Sequence, residues 1–299
     1  MNLQGVFLGC SLFLLTLLAG AGEEPSVPTE AMQHSADAAQ LAAELTARYR
    51  ATPSHCEDDP AYKCSGVIVR GTRQNLPDGQ HAWEPYPRGR TLDTSFSFLR
   101  ADIKMPRLAW SYSNGFIIAP PESLSVNCFF PADAESDRRT DNGCGPDKAY
   151  LYRYSPCNAL LTQRLAPPRE TEEYQWALQR LAALWLTWDE RHAPDMKRRC
   201  SYDLRDAHAT QRFEIALAVA TKVSRLTDKP NDLKIQTWNP GHDPRLPIRA
   251  FFYVNEQGRP FAERDREQFE RMTTIRLPVL KVTFPGEREG SIVFEVAGQ

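Results

Sequence analysis

Much of what usually betrays a function is missing from this chain of 299 residues. It contains no C-x-x-C, and none of its six histidines fall at H-x-x-x-H spacing, which removes the common zinc frameworks. It has no G-x-S-x-G, so there is no nucleophile elbow, and the histidines show no local triad signature. It has no G-x-x-x-x-G-K, so its Asn-Gly and Asp-Gly pairs are turn dipeptides rather than phosphate cradles. Excess charge is absent as well: 36 Lys and Arg stand against 38 Asp and Glu, a formal net charge of -2. No global field draws it to nucleic acid or an anionic membrane, and MKRRC at 196–200 is only a short basic cluster. After residue 20 no stretch is apolar enough to span a bilayer, and there is no repeat or low-complexity run.

What is present begins with an apolar run, LQGVFLGCSLFLLTLLAG, over residues 3–20. The small residues Ala19, Gly20 and Ala21 follow it, the pattern of a secretory signal peptide cut after Ala21. The first basic side chain in the whole chain is Arg48, so the terminal amine alone supplies the signal's positive end. Too few residues precede Cys10 for a lipoprotein signal, and the run is short for a retained anchor. The expectation is therefore an extracellular protein without a membrane anchor. Loss of Cys10 leaves Cys56, Cys64, Cys128, Cys144, Cys157 and Cys200, an even count that fits three disulfides. Fifteen pairings are possible; Cys56 with Cys64 and Cys128 with Cys144 would close short loops.

Hydrophobic residues make up 41% of the chain, enough for a sizeable core. A polar, Pro-bearing leader precedes residues 36–50, where Ala39, Leu41, Ala42, Leu45 and Tyr49 keep helical spacing behind Ser35 as an N-cap. Residues 22–63 thus read as a mobile leader and a docking helix. From Cys64 the texture becomes short β-rich runs at 66–69, 95–99, 108–112, 116–118 and 126–130. A charged, Gly-containing loop occupies 133–147. Two amphipathic helices are expected at 170–191 and 207–226, with a Trp-bearing stripe on the first that reads as core packing. Strands return at 248–254, 279–284 and 292–296, and FAERDREQFERMTT forms a helical or irregular connection between the first two.

One β-rich stretch, CSGVIVRGT, carries Arg70 into a Gly-Thr turn. Alone, an arginine at a strand end is an ordinary surface or ion-pairing residue. Here it has company: Ser95-Phe96-Ser97 on the next β-rich run, and Gln268-Phe269-Glu270 ahead of Leu277-Pro278 and a strand. These three motifs resemble the R-S-E class of mono-ADP-ribosyltransferases. Over its mature length the chain also resembles the halovibrin family of secreted bacterial proteins, through CSGVIVRGT, SFSFLRADIKMPRLAW, NGFII, DRRTDNGCG, LPIRAFFY and LPVLKVTFP. The spacing departs from the toxin-like members: Ser95 follows Arg70 by only 25 residues, and the interval to Glu270 is long. The residue between the serines is Phe96 rather than the commoner Thr.

The resemblance implies an α+β fold, residues 64–299, with an ADP-ribosyltransferase-like split antiparallel sheet core, a helical pair inserted at about 145–235 and disulfide stabilisation. It implies a secreted NAD-cleaving enzyme, a mono-ADP-ribosyltransferase or an NAD glycohydrolase, with NAD as substrate, a protein acceptor or water, and no metal. Arg70 would hold the pyrophosphate through its planar fork. Gly71, Thr72, Phe96 and Ser97 would complete the NAD contacts, and Phe96, Phe98 or Trp110 could stack on nicotinamide, though core packing is the commoner fate of such rings. Glu270 would stabilise the oxocarbenium-like ribose, oriented by Ser95. Glu263 and Glu267 in ERDREQFE are its rivals, and a solvated charged helix is the plain alternative. Gln268, at the acceptor-facing position, cannot carry a proton away, which points to an acceptor other than arginine, or to water. The other class of function is a catalytically inactive secreted binding or colonisation factor on the same fold.

Overall fold

The computed structural model of the protein describes residues 30–76, 81–84, 93–122, 124–132, 202–205, 207–225, 229–237, 246–286 and 290–297. The expected signal peptide, the loop at 133–147, the helix at 170–191 and Cys144, Cys157 and Cys200 lie outside these residues.

Helix α1 (Glu30–Arg50) begins five residues before Ser35, so that residue lies within the helix and is not its N-cap. The run Glu30-Ala31-Met32-Gln33 is made of good helix formers, which carry the helix straight through the serine. Its stripe of Ala38, Leu41, Ala42, Leu45 and Tyr49 is buried on a sheet. Two short strands, β1 (His55–Cys56) and β2 (Asp59–Pro60), form a small ladder. The disulfide between Cys56 and Cys64 closes the loop that contains them, one of the two short-loop pairings anticipated from spacing. Arg48 ties α1 to that loop: its guanidinium donates to the carbonyls of Tyr62, Lys63, Ser65 and Gly66, each at 3.2 Å, and the Gly66 amide donates back to the Arg48 carbonyl. Burial there lowers the Arg48 pKa without discharging it.

The remaining strands are β3 (Val67–Gly71), β4 (Asp93–Leu99), β5 (Asn114–Ile118), β6 (Val126–Phe130), β7 (Tyr202–Asp203), β8 (Asp232–Gln236), β9 (Ile248–Tyr253), β10 (Val279–Thr283) and β11 (Val293–Val296). Among the described residues they make one nine-stranded sheet in the order β11-β10-β9-β5-β3-β4-β8-β6-β7. The sheet is mixed rather than wholly antiparallel, because β9 and β10 run parallel. The cause is local: the acidic and basic connection between them folds as helix α3 (Arg259–Thr273), and a helical crossover returns the chain in the same direction. The fold is therefore α+β with a large mixed sheet. Strand β8, inside the stretch read as a helical insertion, lies between β4 and β6. Helix α2 (Ala209–Val223) matches the helix expected at 207–226.

Residues 108–112 do not form a strand. Leu108, Trp110 and Tyr112 imitate a period of two, but the segment is a 3-10 turn, Ala109–Ser111, with Trp110 and Ser111 both left-handed. Leu108 is buried while Trp110 is 62% exposed, and among the described residues no strand takes up the backbone.

Both faces of the sheet are covered. Val67, Val69, Leu99, Ile117, Ala250, Phe252, Leu280 and Val282 pack against α1. Ile68, Phe96, Phe98, Phe116, Phe129, Leu233, Ile235 and Phe251 pack against α2, with Trp83 and Phe269 on the same side. Two-sided burial explains why β3 and β5 read as unbroken apolar runs instead of alternating. No helix among the described residues is long and apolar enough to cross a membrane.

The clamp of Arg48 is the testable element. Arg48→Met keeps the alkyl stem and leaves four carbonyls short of a donor, so it should cost about 3 kcal/mol in urea unfolding at constant slope. A loss under about 1 kcal/mol would mean that water replaces the guanidinium freely.

Candidate functional site at the fork of the sheet

Strand β4 belongs to two ladders. Its second half pairs with β3, as Val67↔Leu99, Ile68↔Phe98 and Val69↔Ser97. Its first half pairs with β8, from Asp93↔Gln236 to Phe96↔Leu233. Beyond Val69, β3 keeps β5 as its partner, through Arg70↔Phe116 and Gly71↔Gly115, and leaves β4. The two strands part at this point, and Ser95 turns a carbonyl towards the gap.

Arg70 fills it. Its Nη1 donates to the Ser95 carbonyl at 2.7 Å, taking an acceptor that β3 would otherwise have supplied with a backbone donor. Its Cζ lies 6.0 Å from the centroid of Phe96. Burial lowers the Arg70 pKa; Tyr112 and Asp232 oppose that shift electrostatically, and Arg73 adds to it. Among the described residues the Ser95 carbonyl is its one hydrogen-bond acceptor, and no carboxylate lies within ion-pair distance. A guanidinium has five N–H donors, so this one stands in the fork with most of its capacity unspent.

Ser95 is held from the β8 side by a buried ion pair that the motifs did not reveal. Lys234, directly across from Ser95, bonds its Oγ through Nζ, and the Ser95 hydroxyl donates to Asp232 Oδ2 at 3.5 Å. Lys234 and Asp232 pair at 3.1 Å with side chains 3% and 5% exposed. One residue thus receives two cations: Arg70 at its carbonyl and Lys234 at its hydroxyl. The alternation D-x-K in β8 was the available signal, since charges spaced by two share one face of a strand.

The other anticipated contacts divide. Gly71 touches the fork through Tyr112: a Cβ there would lie 2.6 Å from Tyr112 Cδ2, so only glycine lets that ring settle beside Arg70. Ser97 is buried opposite Val69. Phe96 and Phe98 are inside the core, edge-on to Phe116 and Phe213, which fill their faces. Of the three rings considered for stacking, Trp110 alone is exposed.

Gln268 and Glu270 lie on the last turns of α3, not on an extended approach to β10. Glu270 pairs with Arg266 at 2.8 Å, and Glu267 shares that arginine at 3.4 Å. Glu263 pairs with Arg259 at 2.8 Å. These are outer-face i, i+4 or adjacent pairs. Gln268 Oε1 lies 3.4 Å from His81 Nδ1. Thr72 accepts a hydrogen bond from Asn114 Nδ2 at 2.8 Å, and the same amide reaches Asp265 Oδ2 at 3.4 Å. Arg70 and Ser95 are therefore joined directly, while Thr72 and Gln268 belong to a neighbouring cluster around α3. The acidic residue that α3 turns inward is Asp265, unmarked by the motifs although it shares the buried stripe Ala262, Asp265, Phe269.

No family model matches the chain, and neither does any curated protein or solved structure. The chemistry of the site is read from its residues. Among the described residues no cluster of His, Cys, Asp and Glu could hold a metal.

The buried pair gives a stability test. Lys234→Met alone removes the cation from the buried Asp232 carboxylate and should cost about 3–5 kcal/mol, whereas Lys234→Met with Asp232→Leu should cost clearly less than the sum of the two single changes. Additive losses in a double-mutant cycle of urea midpoints would dissolve the pair.

Proposed function

We propose that the protein cleaves the bond between nicotinamide and ribose in NAD, as a secreted mono-ADP-ribosyltransferase or NAD glycohydrolase. The observation that carries this reading is the Arg70 guanidinium at the fork, partly desolvated and, among the described residues, bonded to the Ser95 carbonyl and to no carboxylate. Such a group is suited to a bidentate hold on a pyrophosphate. The parting of the sheet at β4 supports a split core of the ADP-ribosyltransferase kind.

In the reaction the C–N bond to nicotinamide breaks and its electron pair leaves with the ring, which becomes neutral. The ribose carbon acquires oxocarbenium character until water or a protein acceptor adds to it and loses a proton. An ionised carboxylate near that carbon stabilises the transition state more than the ground state. Two carboxylates compete for this role. Glu270 holds it by motif, with Gln268 governing the acceptor; Asp232 holds it by contact, as the carboxylate to which the Ser95 hydroxyl donates. Export agrees with the Cys56–Cys64 disulfide.

Purified protein incubated with NAD should release nicotinamide. Arg70→Lys keeps the charge but loses the fork, and should lower turnover by more than tenfold. Whichever of Glu270→Gln and Asp232→Asn lowers it by about a thousandfold identifies the carboxylate. Wild-type protein that releases no nicotinamide, with or without acceptor proteins, would instead favour a non-catalytic binding factor on this fold.

A further inference from the structure

Helix α3 is held to the sheet by little apolar surface. Of its fifteen residues, Ala262, Asp265 and Phe269 are buried, and its outer face is occupied by the ion pairs of Arg259 and Arg266. One of the three anchors is thus an acid, 2% exposed. The groups facing it are few. Asn114 of β5 meets it at 3.4 Å and is itself bonded to Thr72 of β3. Arg264 of its own helix approaches its other oxygen at 3.4 Å, and His81 acts on it electrostatically from the segment 81–84. Both contacts to Asp265 are long. Asn114 is fully buried, and its Oδ1 has no hydrogen-bond partner among the described residues.

We infer that Asp265, Asn114 and Thr72 form a proton latch, which holds α3 to the sheet when Asp265 carries a proton and loosens it when Asp265 is ionised. The chemistry lies in the buried charge. With Asp265 ionised, a carboxylate that is 2% exposed is held, among the described residues, by two hydrogen bonds of 3.4 Å, from Asn114 Nδ2 and from Arg264. With Asp265 protonated, no charge is buried there. Burial pushes the Asp265 carboxyl up to about 6 from its ordinary 3.8, against the opposing pull of Arg264, His81 and Asn114. A carboxyl raised in the folded state contributes stability that is complete below its unfolded pKa and is lost as pH climbs through its folded one, so the latch weakens across about pH 4 to 6. The helix it governs bears Gln268 and Glu270, but the latch does not depend on what those residues do.

Amide hydrogen exchange, corrected for intrinsic rates, tests this in the full chain. Protection of residues 259–273 relative to β9 should fall by about fiftyfold between about pH 4 and pH 7, and Asp265→Asn should abolish that fall. Equal protection at both pH values, or an Asp265→Asn protein that loses protection as the wild type does, overturns the latch. A carboxyl-carbon NMR titration of wild-type protein gives a second reading that needs no variant: a midpoint near 4 for Asp265 also overturns it.

Discussion

The site exists because β4 cannot satisfy two neighbours along its whole length. A strand in a sheet must pair its backbone groups on both sides, and β4 pairs with β3 over one half and with β8 over the other. Where β3 leaves, the Ser95 carbonyl would be an unmet acceptor, and the Arg70 side chain is placed one residue beyond the last shared pair to meet it. At the other edge of β4, the amide of Asn231 continues the β8 ladder as a side chain. It accepts from the Phe98 amide at 2.7 Å and donates to the Phe98 carbonyl at 2.8 Å. Side chains thus complete the hydrogen bonding on both edges of the strand, and on the β3 edge the substitute is a cation.

Around the fork the molecule keeps its charges unusually close to its core. The two sheet faces bury aromatic and branched residues against α1 and α2, which supplies most of the driving force for folding. Lys234 and Asp232 lie within that interior, where desolvation weighs heavily against their attraction. An all-apolar pair of similar size would serve stability at least as well.

Helix α3 shows how a single helical period sorts four acidic residues. Glu263, Glu267 and Glu270 face arginines on the outer side, while Asp265 shares the stripe with Ala262 and Phe269 and enters the sheet. The row of Phe251, Trp83 and Phe269 rings packs edge to face beneath it, with His81 stacked on Trp83 at 4.7 Å. The crossover helix therefore carries polar chemistry on both sides, solvated on one and desolvated on the other.

The sequence by itself determined the α+β character, most strands and α2, because apolar period and turn residues act within a few residues of one another; it offered Cys56 with Cys64 as one short-loop pairing among fifteen, and the structure selected it. It also singled out Arg70 and Ser95, two residues that the strand register makes neighbours. The start of α1 before Ser35, the 3-10 turn at Trp110 and the parallel β9–β10 pair were settled otherwise, since local signals there were weak or imitated a different period. Lys234, Asp232 and Asp265 drew no notice in the sequence because a charged residue looks alike whether solvated or buried. Only the tertiary structure decided that β8 lies against β4, and with it that Lys234 stands across from Ser95: a pairing between residues 139 apart in sequence, fixed by the hydrogen-bonding needs of a shared strand rather than by any local pattern.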